Sequence, residues 1–290
     1  MISVIGMNTK KKKDKAIVID QQEISPGIYD LKLETGIAAA TGSGQFVGVY
    51  TGDPSKLLPR PISICGTGDR MIRLVYRVTG AGTGTDCLSK LKKGDEVDLI
   101  GPLGNGYDVE SIMNKYNHPV LLGGGIGIPP MLGLADALNN TISVSSPEKM
   151  VITVLGYRDS NTFLADEFRS VSKVYIASED GSVGTKGNVL DVLKERMISK
   201  DQSASGDKPD GIPCDVIMAC GPMPMLRAVA AFARENGIKA YISLEERMAC
   251  GVGACLGCVT KTREIDEHSQ VKNARICTEG PVFDADVLDL

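Results

Sequence analysis

The chain has 290 residues, of which 42% are apolar and 23% charged, and it carries a net charge of −4. That balance belongs to an ordinary folded chain of about two domains, at roughly 150 residues each. It excludes a basic footprint for nucleic acid or anionic lipid, and no run approaches the roughly 20 apolar residues of a membrane-spanning helix.

The one basic cluster, Lys10 to Lys13, reads as a solvated N-terminal tail. The first residues lack the apolar core of a secretory signal, so a cytoplasmic protein is expected. In that compartment eight cysteines are thiols or metal ligands sooner than disulfides. Short β-branched or alternating runs follow at Lys15 to Asp20, Ile28 to Leu33, Gln45 to Tyr50, Met71 to Val78 and Asp95 to Ile100. Gly, Pro and Asp separate them, and the one helical stretch is near Asp86 to Leu91, so a small antiparallel barrel is predicted.

After Gly101-Pro-Leu-Gly-Asn-Gly106 the texture changes to alternating strands and helices. Strands are predicted at Pro119 to Leu122, Met150 to Leu155, Lys173 to Ala177 and Cys214 to Ala219. Helices follow near Pro129 to Leu138, Leu164 to Ser170, Asn188 to Arg196 and Pro224 to Glu235. This alternation predicts a parallel sheet covered on both faces. Ser199 to Pro213 is polar and reads as an exposed loop. From about Ser243 the chain has little periodicity and many small residues, so a metal centre would supply what its core lacks. The fold class is thus multidomain β and α/β: a barrel over 1–106, a parallel-sheet domain over 107–240 and a small cysteine-rich domain over 241–290.

The cysteine-rich tail reads Cys250-x4-Cys255-x2-Cys258-x18-Cys277. This is the start and distant fourth ligand of plant-type [2Fe–2S] ferredoxins, in which a tight loop wraps one edge of the cluster. Gly251, Gly253 and Gly257 would let amides turn toward the sulfurs. A structural zinc site shows paired C-x2-C knuckles and here there is one; zinc and unligated thiols are the rival readings.

Gly123-Gly124-Gly125-Ile126-Gly127 lies between a strand and a helix, the context of a phosphate-binding turn. It departs from the G-x-G-x-x-G fingerprint, and a tight turn without a ligand is the alternative. Cys220-Gly221-Pro222 follows a later strand of the same sheet, and ligands bind at the carboxyl ends of such strands. In the barrel, Arg60-Pro61-Ile62-Ser63 precedes Val75-Tyr76-Arg77 and the turn Gly82-Thr83-Gly84-Thr85. An arginine fork with a Gly/Thr turn suits a pyrophosphate; solvated strand charges and a flexible loop are the plainer readings.

These motifs in this order resemble the ferredoxin–NADP reductase superfamily. Ser243-Leu-Glu-Glu-Arg-Met-Ala-Cys250-Gly-Val-Gly-Ala-Cys255-Leu-Gly-Cys258 and Glu279-Gly-Pro-Val-Phe283 resemble, within it, the electron-transfer subunits of type B, NAD-dependent dihydroorotate dehydrogenases. The match runs from about Ile17 to the end. The resemblance implies FAD lined by Arg60, Pro61, Ile62, Ser63, Val75, Tyr76, Arg77 and the Gly-Thr turn. That turn is about two residues longer here than the family's single Gly-Thr, and spacing to Leu88-Ser89 favours Gly84 and Thr85 over Gly82 and Thr83.

The resemblance further implies NADH against Gly123 to Gly127 and Cys220 to Pro222, and a [2Fe–2S] cluster on Cys250, Cys255, Cys258 and Cys277. Electrons would pass to or from the FMN of a separate catalytic subunit that converts dihydroorotate to orotate in pyrimidine biosynthesis, in a heterotetramer. The cofactors carry the chemistry, so no catalytic acid or base is required, and His118 and His268 read as surface or loop residues. Cys220 is either near the nicotinamide or a buried structural thiol. Gly156-Tyr-Arg158-Asp159 makes a poor 2′-phosphate clamp, which favours NAD over NADP. The alternatives are a reductase subunit of another flavin/iron–sulfur complex, such as a bifurcating transhydrogenase or a sulfhydrogenase, or a non-catalytic redox sensor.

Overall fold

The computed structural model describes residues 11–142, 150–197, 211–265 and 270–290, and they divide into two compact units. The first holds the described residues of Met1–Tyr107, Leu244–Phe283 and Val287–Asp289; the second holds those of Asp108–Ser243, Asp284–Asp286 and Leu290.

The first unit is built on a closed antiparallel barrel. Its strands are β1 (Lys12–Ser25), β2 (Ile28–Glu34), β3 (Phe46–Val49), β4 (Arg60–Gly68), β5 (Met71–Arg77) and β6 (Glu96–Leu103), in the order β1-β2-β5-β4-β3-β6. The strands alternate as a closed sheet requires: Ala16 and Val18 of β1 point inward while Ile17 stays 45% exposed. Leu31, Leu33, Val47, Ile72, Leu74 and Leu99 fill the interior, each buried aliphatic side chain contributing about 1.5–3 kcal/mol. The short helix α1 (Gly84–Leu88) closes one end, with Leu88 in the core.

Two expectations need correction. Lys12 and Lys13 are not a tail, because they begin β1 and pair with Gly101 and Ile100 of β6. Lys13 meets Asp98 at 3.2 Å and lies over the Tyr50 ring; Lys10 falls outside the described residues. Arg60 to Ser63, read only as a motif, opens a full barrel strand that runs on to Gly68.

The second unit carries a parallel sheet. Its strands are β7 (Pro119–Gly124), β8 (Ile152–Tyr157), β9 (Lys173–Ser178), β10 (Thr185–Lys186), β11 (Val216–Cys220) and β12 (Lys239–Ser243), in the order β10-β9-β8-β7-β11-β12. All six residues of β7 and all five of β11 are buried, as expected of strands covered on both faces. The helices are α2 (Val109–Lys115), α3 (Ile128–Thr141), α4 (Ala165–Val171), α5 (Val189–Arg196) and α6 (Met223–Glu235). The chain moves from β7 through β8 to β9, then returns beside β7 as β11. That reversal places the carboxyl ends of β7 and β11 at a topological switch point, where open α/β sheets bind ligands. The predicted loop at Ser199 to Pro213 lies for the most part outside the described residues.

The remaining strands are short: β13 (Val259–Lys261) and β14 (Asn273–Arg275) form an antiparallel pair, and β15 (Val282–Asp284) lies near the C-terminus.

Candidate functional site

In the barrel, Ile62 and Ile64 point into the core, and Arg60 shares their register at the start of β4. Its side chain crosses the start of α1. A Cβ on Gly84 would lie 2.0 Å from Arg60 Nε and 2.6 Å from Cζ, so only glycine leaves room for the arginine there. Arg60 Nε is buried from solvent and has no hydrogen-bond partner in the protein. A buried, unsatisfied donor on a cation is costly, and an anionic group such as a dinucleotide phosphate would satisfy it.

The doubled Gly-Thr turn divides its work. Gly82 takes a positive φ of 72° and its N–H donates to Asp86. Thr83 is the N-cap of α1, its hydroxyl accepting from Asp86 N–H, and Thr85 Oγ1 accepts from Thr79 N–H at 3.0 Å. Gly84, not Gly82, is the glycine against Arg60. Val75 and Tyr76 are buried. The Tyr76 hydroxyl donates to Gln21, whose amide in turn donates to the Leu88 and Leu91 carbonyls. Its ring stacks on Tyr29 at 5.9 Å, so Tyr76 braces the turn. Pro61 and Arg77 are exposed, and Ser63 is half-buried.

In the second unit, Gly123 of β7 lies level with Cys220 of β11. Beyond them Gly125–Gly127 forms a single 3₁₀ turn into α3. A Cβ on Gly127 would stand 2.4 Å from the Cys220 carbonyl carbon and oxygen, and one on Gly124 would stand 2.5 Å from Met225 Sδ. The two motifs therefore touch backbone to backbone, and this closeness is one physical reason for the glycines. Pro129 and Pro130 remove two donors from the first turn of α3. The amides left to face an anion are those of the 3₁₀ turn. Cys220 is wholly buried. After β8, Asp159 accepts from the N–H and side-chain amide of Asn161, leaving Arg158 exposed.

The four tail cysteines converge in the first unit. Cys250 interacts with the Cys255 side chain, Cys277 with Cys258, and Cys277 also feels Cys250. Amides line two of the sulfurs: Val252 N–H donates to Cys250 Sγ at 3.5 Å, the Ala254 and Cys255 amides are turned toward the same sulfur, and the Gly253 amide is turned toward Cys277. Burial disfavours the Cys250 thiolate, but these donors together bring its pKa below the ordinary thiol value. Burial and the neighbouring sulfurs raise that of Cys277. The thiolate is the metal-binding form, and four neighbouring sulfurs with amides turned toward Cys250 and Cys277 fit an iron–sulfur cluster. Among the described residues, no group of three or more His, Cys, Asp or Glu side chains is arranged to hold a single metal ion. Cys255 is exposed, whereas Cys258 and Cys277 are buried.

Two residues outside the predicted set support these features. Asn105, just past β6, donates its side-chain amide to the Thr278 and Glu279 carbonyls, and its N–H to Gly280. Arg275 pairs with Glu279 and reaches Gly253; the opposite charges four residues apart were the only signal available in the sequence.

Residues 245–289 match the model of the iron–sulfur cluster binding domain of dihydroorotate dehydrogenase B. A Fusobacterium nucleatum protein named dihydroorotate dehydrogenase B (NAD(+)), electron transfer subunit, is 36% identical over 94% of this chain and 96% of its own length. One of the same name from Streptococcus pneumoniae is 37% identical over 92% of this chain and 94% of its own. Among solved structures, an NADH-dependent reduced ferredoxin–NADP oxidoreductase studied for flavin-based electron bifurcation superposes with a TM-score of 0.74 at 26% identity, over 94% of this chain and 89% of that one. A Neisseria gonorrhoeae ferredoxin NADP+ reductase with bound FAD and NADP shares the fold, with a TM-score of 0.60 at 14% identity over 82% of this chain and 94% of that one. The barrel, the switch-point sheet and the amide-lined sulfur loop thus occur together in a chain that belongs to the family of electron-transfer subunits of dihydroorotate dehydrogenase B.

Proposed function

We propose that this chain moves electrons between NAD(H) and the FMN of a separate catalytic subunit that converts dihydroorotate to orotate, by way of FAD and a [2Fe–2S] cluster. The observation that carries the reading is the sulfur loop. Four converging cysteines, two of them faced by inward-turned amides, belong to the same compact unit as a barrel whose arginine keeps a buried donor free. Dihydroorotate oxidation releases two electrons, so in pyrimidine biosynthesis the net flow is from the partner toward NAD+. NADH added to the isolated chain drives the reverse flow.

FAD held there would supply two-electron hydride chemistry toward the nicotinamide and one-electron chemistry toward the cluster. The protein's own part is positioning. Arg60, Ser63, Arg77, Gly84 and Thr85 hold the FAD phosphates and ring edge, with Pro61, Ile62, Val75, Tyr76, Gly82 and Thr83 shaping the wall behind them. Gly123, Gly124, Gly125, Ile126 and Gly127, with Cys220, Gly221 and Pro222, receive the NAD(H) pyrophosphate and nicotinamide at the switch point. Cys250, Cys255, Cys258 and Cys277 ligate the cluster, and the exposed Cys255 side is the exit toward the partner. The functional domains are 1–106 for FAD, 107–240 for NAD(H) and 241–290 for the cluster. The assembly is a cytoplasmic heterotetramer of two such chains with two catalytic ones.

The purified chain is expected to hold one FAD and two irons, without zinc, and to support NAD+-linked dihydroorotate oxidation when the FMN subunit is added. Zinc in place of iron would sink the cluster assignment. The bifurcating neighbour at 26% identity supports a second reading, in which the acceptor differs. Co-purification with a large flavoprotein that does not oxidise dihydroorotate would favour it.

A further inference from the structure

Gly253 stands at the centre of the sulfur loop with a positive φ of 93°, a conformation open to glycine at little cost. The preceding Val252 N–H donates to Cys250 Sγ at 3.5 Å, and the next two amides are turned to the same side, that of Gly253 toward Cys277 and that of Ala254 toward Cys250. Successive amides converging in this way form an anion-binding nest. The carbonyl between them must point elsewhere, because the C=O and N–H of one trans peptide lie on opposite sides. It points to Arg275, whose Nη1 lies 3.4 Å from the Gly253 oxygen.

Arg275 is itself fixed from several directions. Its Nε donates to both Glu279 carboxylate oxygens at 3.1 and 3.0 Å, and its Nη2 donates to Oε1 at 2.5 Å. Its own N–H donates to Glu279 Oε2 at 2.6 Å. Its carbonyl accepts from the N–H groups of Thr278, Glu279 and Gly280, a turn that encloses Cys277. One edge of the guanidinium is thus held by the carboxylate and a remaining nitrogen meets the loop, a geometry that a planar fork provides and an ammonium does not.

We infer that Arg275 is a positioning residue for the cluster: by holding the Gly253 carbonyl outward, it keeps the Gly253 and Ala254 amides on the sulfurs of Cys277 and Cys250. Hydrogen bonds to cluster sulfurs set the reduction potential, together with charge and exposure. Amides aimed at sulfur stabilise the more negative, reduced cluster, so Arg275 raises the midpoint. The inference rests on the [2Fe–2S] assignment to these four cysteines.

The test is an EPR-monitored redox titration of the full chain carrying FAD and cluster, comparing Arg275→Met and Arg275→Lys with the unaltered protein. Both variants are expected to shift the midpoint downward, by about fivefold in the reduction equilibrium, the worth of one net hydrogen bond. An unshifted Arg275→Lys beside a shifted Arg275→Met would show that charge alone acts and would overturn the inference, as would two unshifted variants. Loss of the cluster from both variants with FAD retained supports it, because a role of charge alone leaves Arg275→Lys loaded. Should neither variant fold, ¹⁵N-alanine labelling of the unaltered protein decides. A hyperfine coupling from the Ala254 amide to the reduced cluster supports the arrangement, and its absence refutes it. A missing [2Fe–2S] signal in the unaltered protein would instead sink the cluster assignment itself.

Discussion

Replacing Gly84 by alanine separates a structural glycine from a binding one. The new Cβ would sit 2.0 Å from Arg60 Nε, 2.6 Å from Cζ and 2.9 Å from Cδ, all atoms of one flexible side chain. The backbone of α1 can stay in place, so the arginine must leave. If Arg60 donates to an FAD phosphate, the change removes a hydrogen bond to a charged group worth about 1.5–3 kcal/mol, or roughly ten- to 150-fold in affinity. Gly82→Ala is the matched control. Its Cβ meets nothing within 4 Å, but its φ of 72° strains an L-residue by about 1 kcal/mol or more. Titration of FAD into apoprotein, read by quenching of flavin fluorescence, with thermal unfolding in parallel, distinguishes the two. Gly84→Ala should lose FAD affinity and little stability, and Gly82→Ala the reverse. An unaltered FAD affinity in Gly84→Ala would refute the role given to Arg60.

Gly127→Ala should behave differently, because its Cβ meets the Cys220 backbone at 2.4 Å, which cannot rotate away. Thermal unfolding should show a loss of about 1–3 kcal/mol, the usual cost of overpacking. Asp30 is 2% exposed and accepts two hydrogen bonds from Arg73 Nε and a third from Nη2. Asp30→Ala breaks this largely buried ion pair and should cost about 3–5 kcal/mol in denaturant unfolding. Burial disfavours the Lys239 ammonium, but Asp284 and Asp286 outweigh it and raise its pKa above 10.5. A raised folded pKa means stability that is present below 10.5 and lost as pH rises through the higher folded value. Lys239→Met should therefore lower the melting temperature at neutral pH, and the difference from the unaltered protein should shrink in strong alkali.

The barrel, the parallel sheet and the four cysteines were legible in the sequence because each has a local signature: alternation, strand–helix repetition, or ligand spacing. What escaped was set by contacts distant in sequence. The extension of β1 back to Lys12 is written in charged residues, and only pairing with β6 makes it a strand. β4 opens on Arg-Pro, which reads as a breaker, although Pro61 pairs with Gly48 in an antiparallel ladder. The seven-residue α2 lacks a long apolar face and is marked chiefly by its Asp108 cap. At the sulfur loop, C-x4-C-x2-C picked out cysteines that the fold brings together but not Arg275, whose link to Gly253 spans 22 residues. For the doubled Gly-Thr turn, spacing favoured Gly84 and Thr85 but gave no physical reason, which lies in Arg60 crossing Gly84.

The central claim is that reducing equivalents from NADH reach the cluster within this one chain. Anaerobic titration of the purified protein with NADH, followed by flavin absorbance and by EPR, tests it most directly. The flavin should bleach and a reduced [2Fe–2S] signal should appear, with that signal absent from Cys255→Ser and present in Cys65→Ser. A flavin that bleaches while the cluster stays oxidised, or the same spectra from both variants, would contradict it.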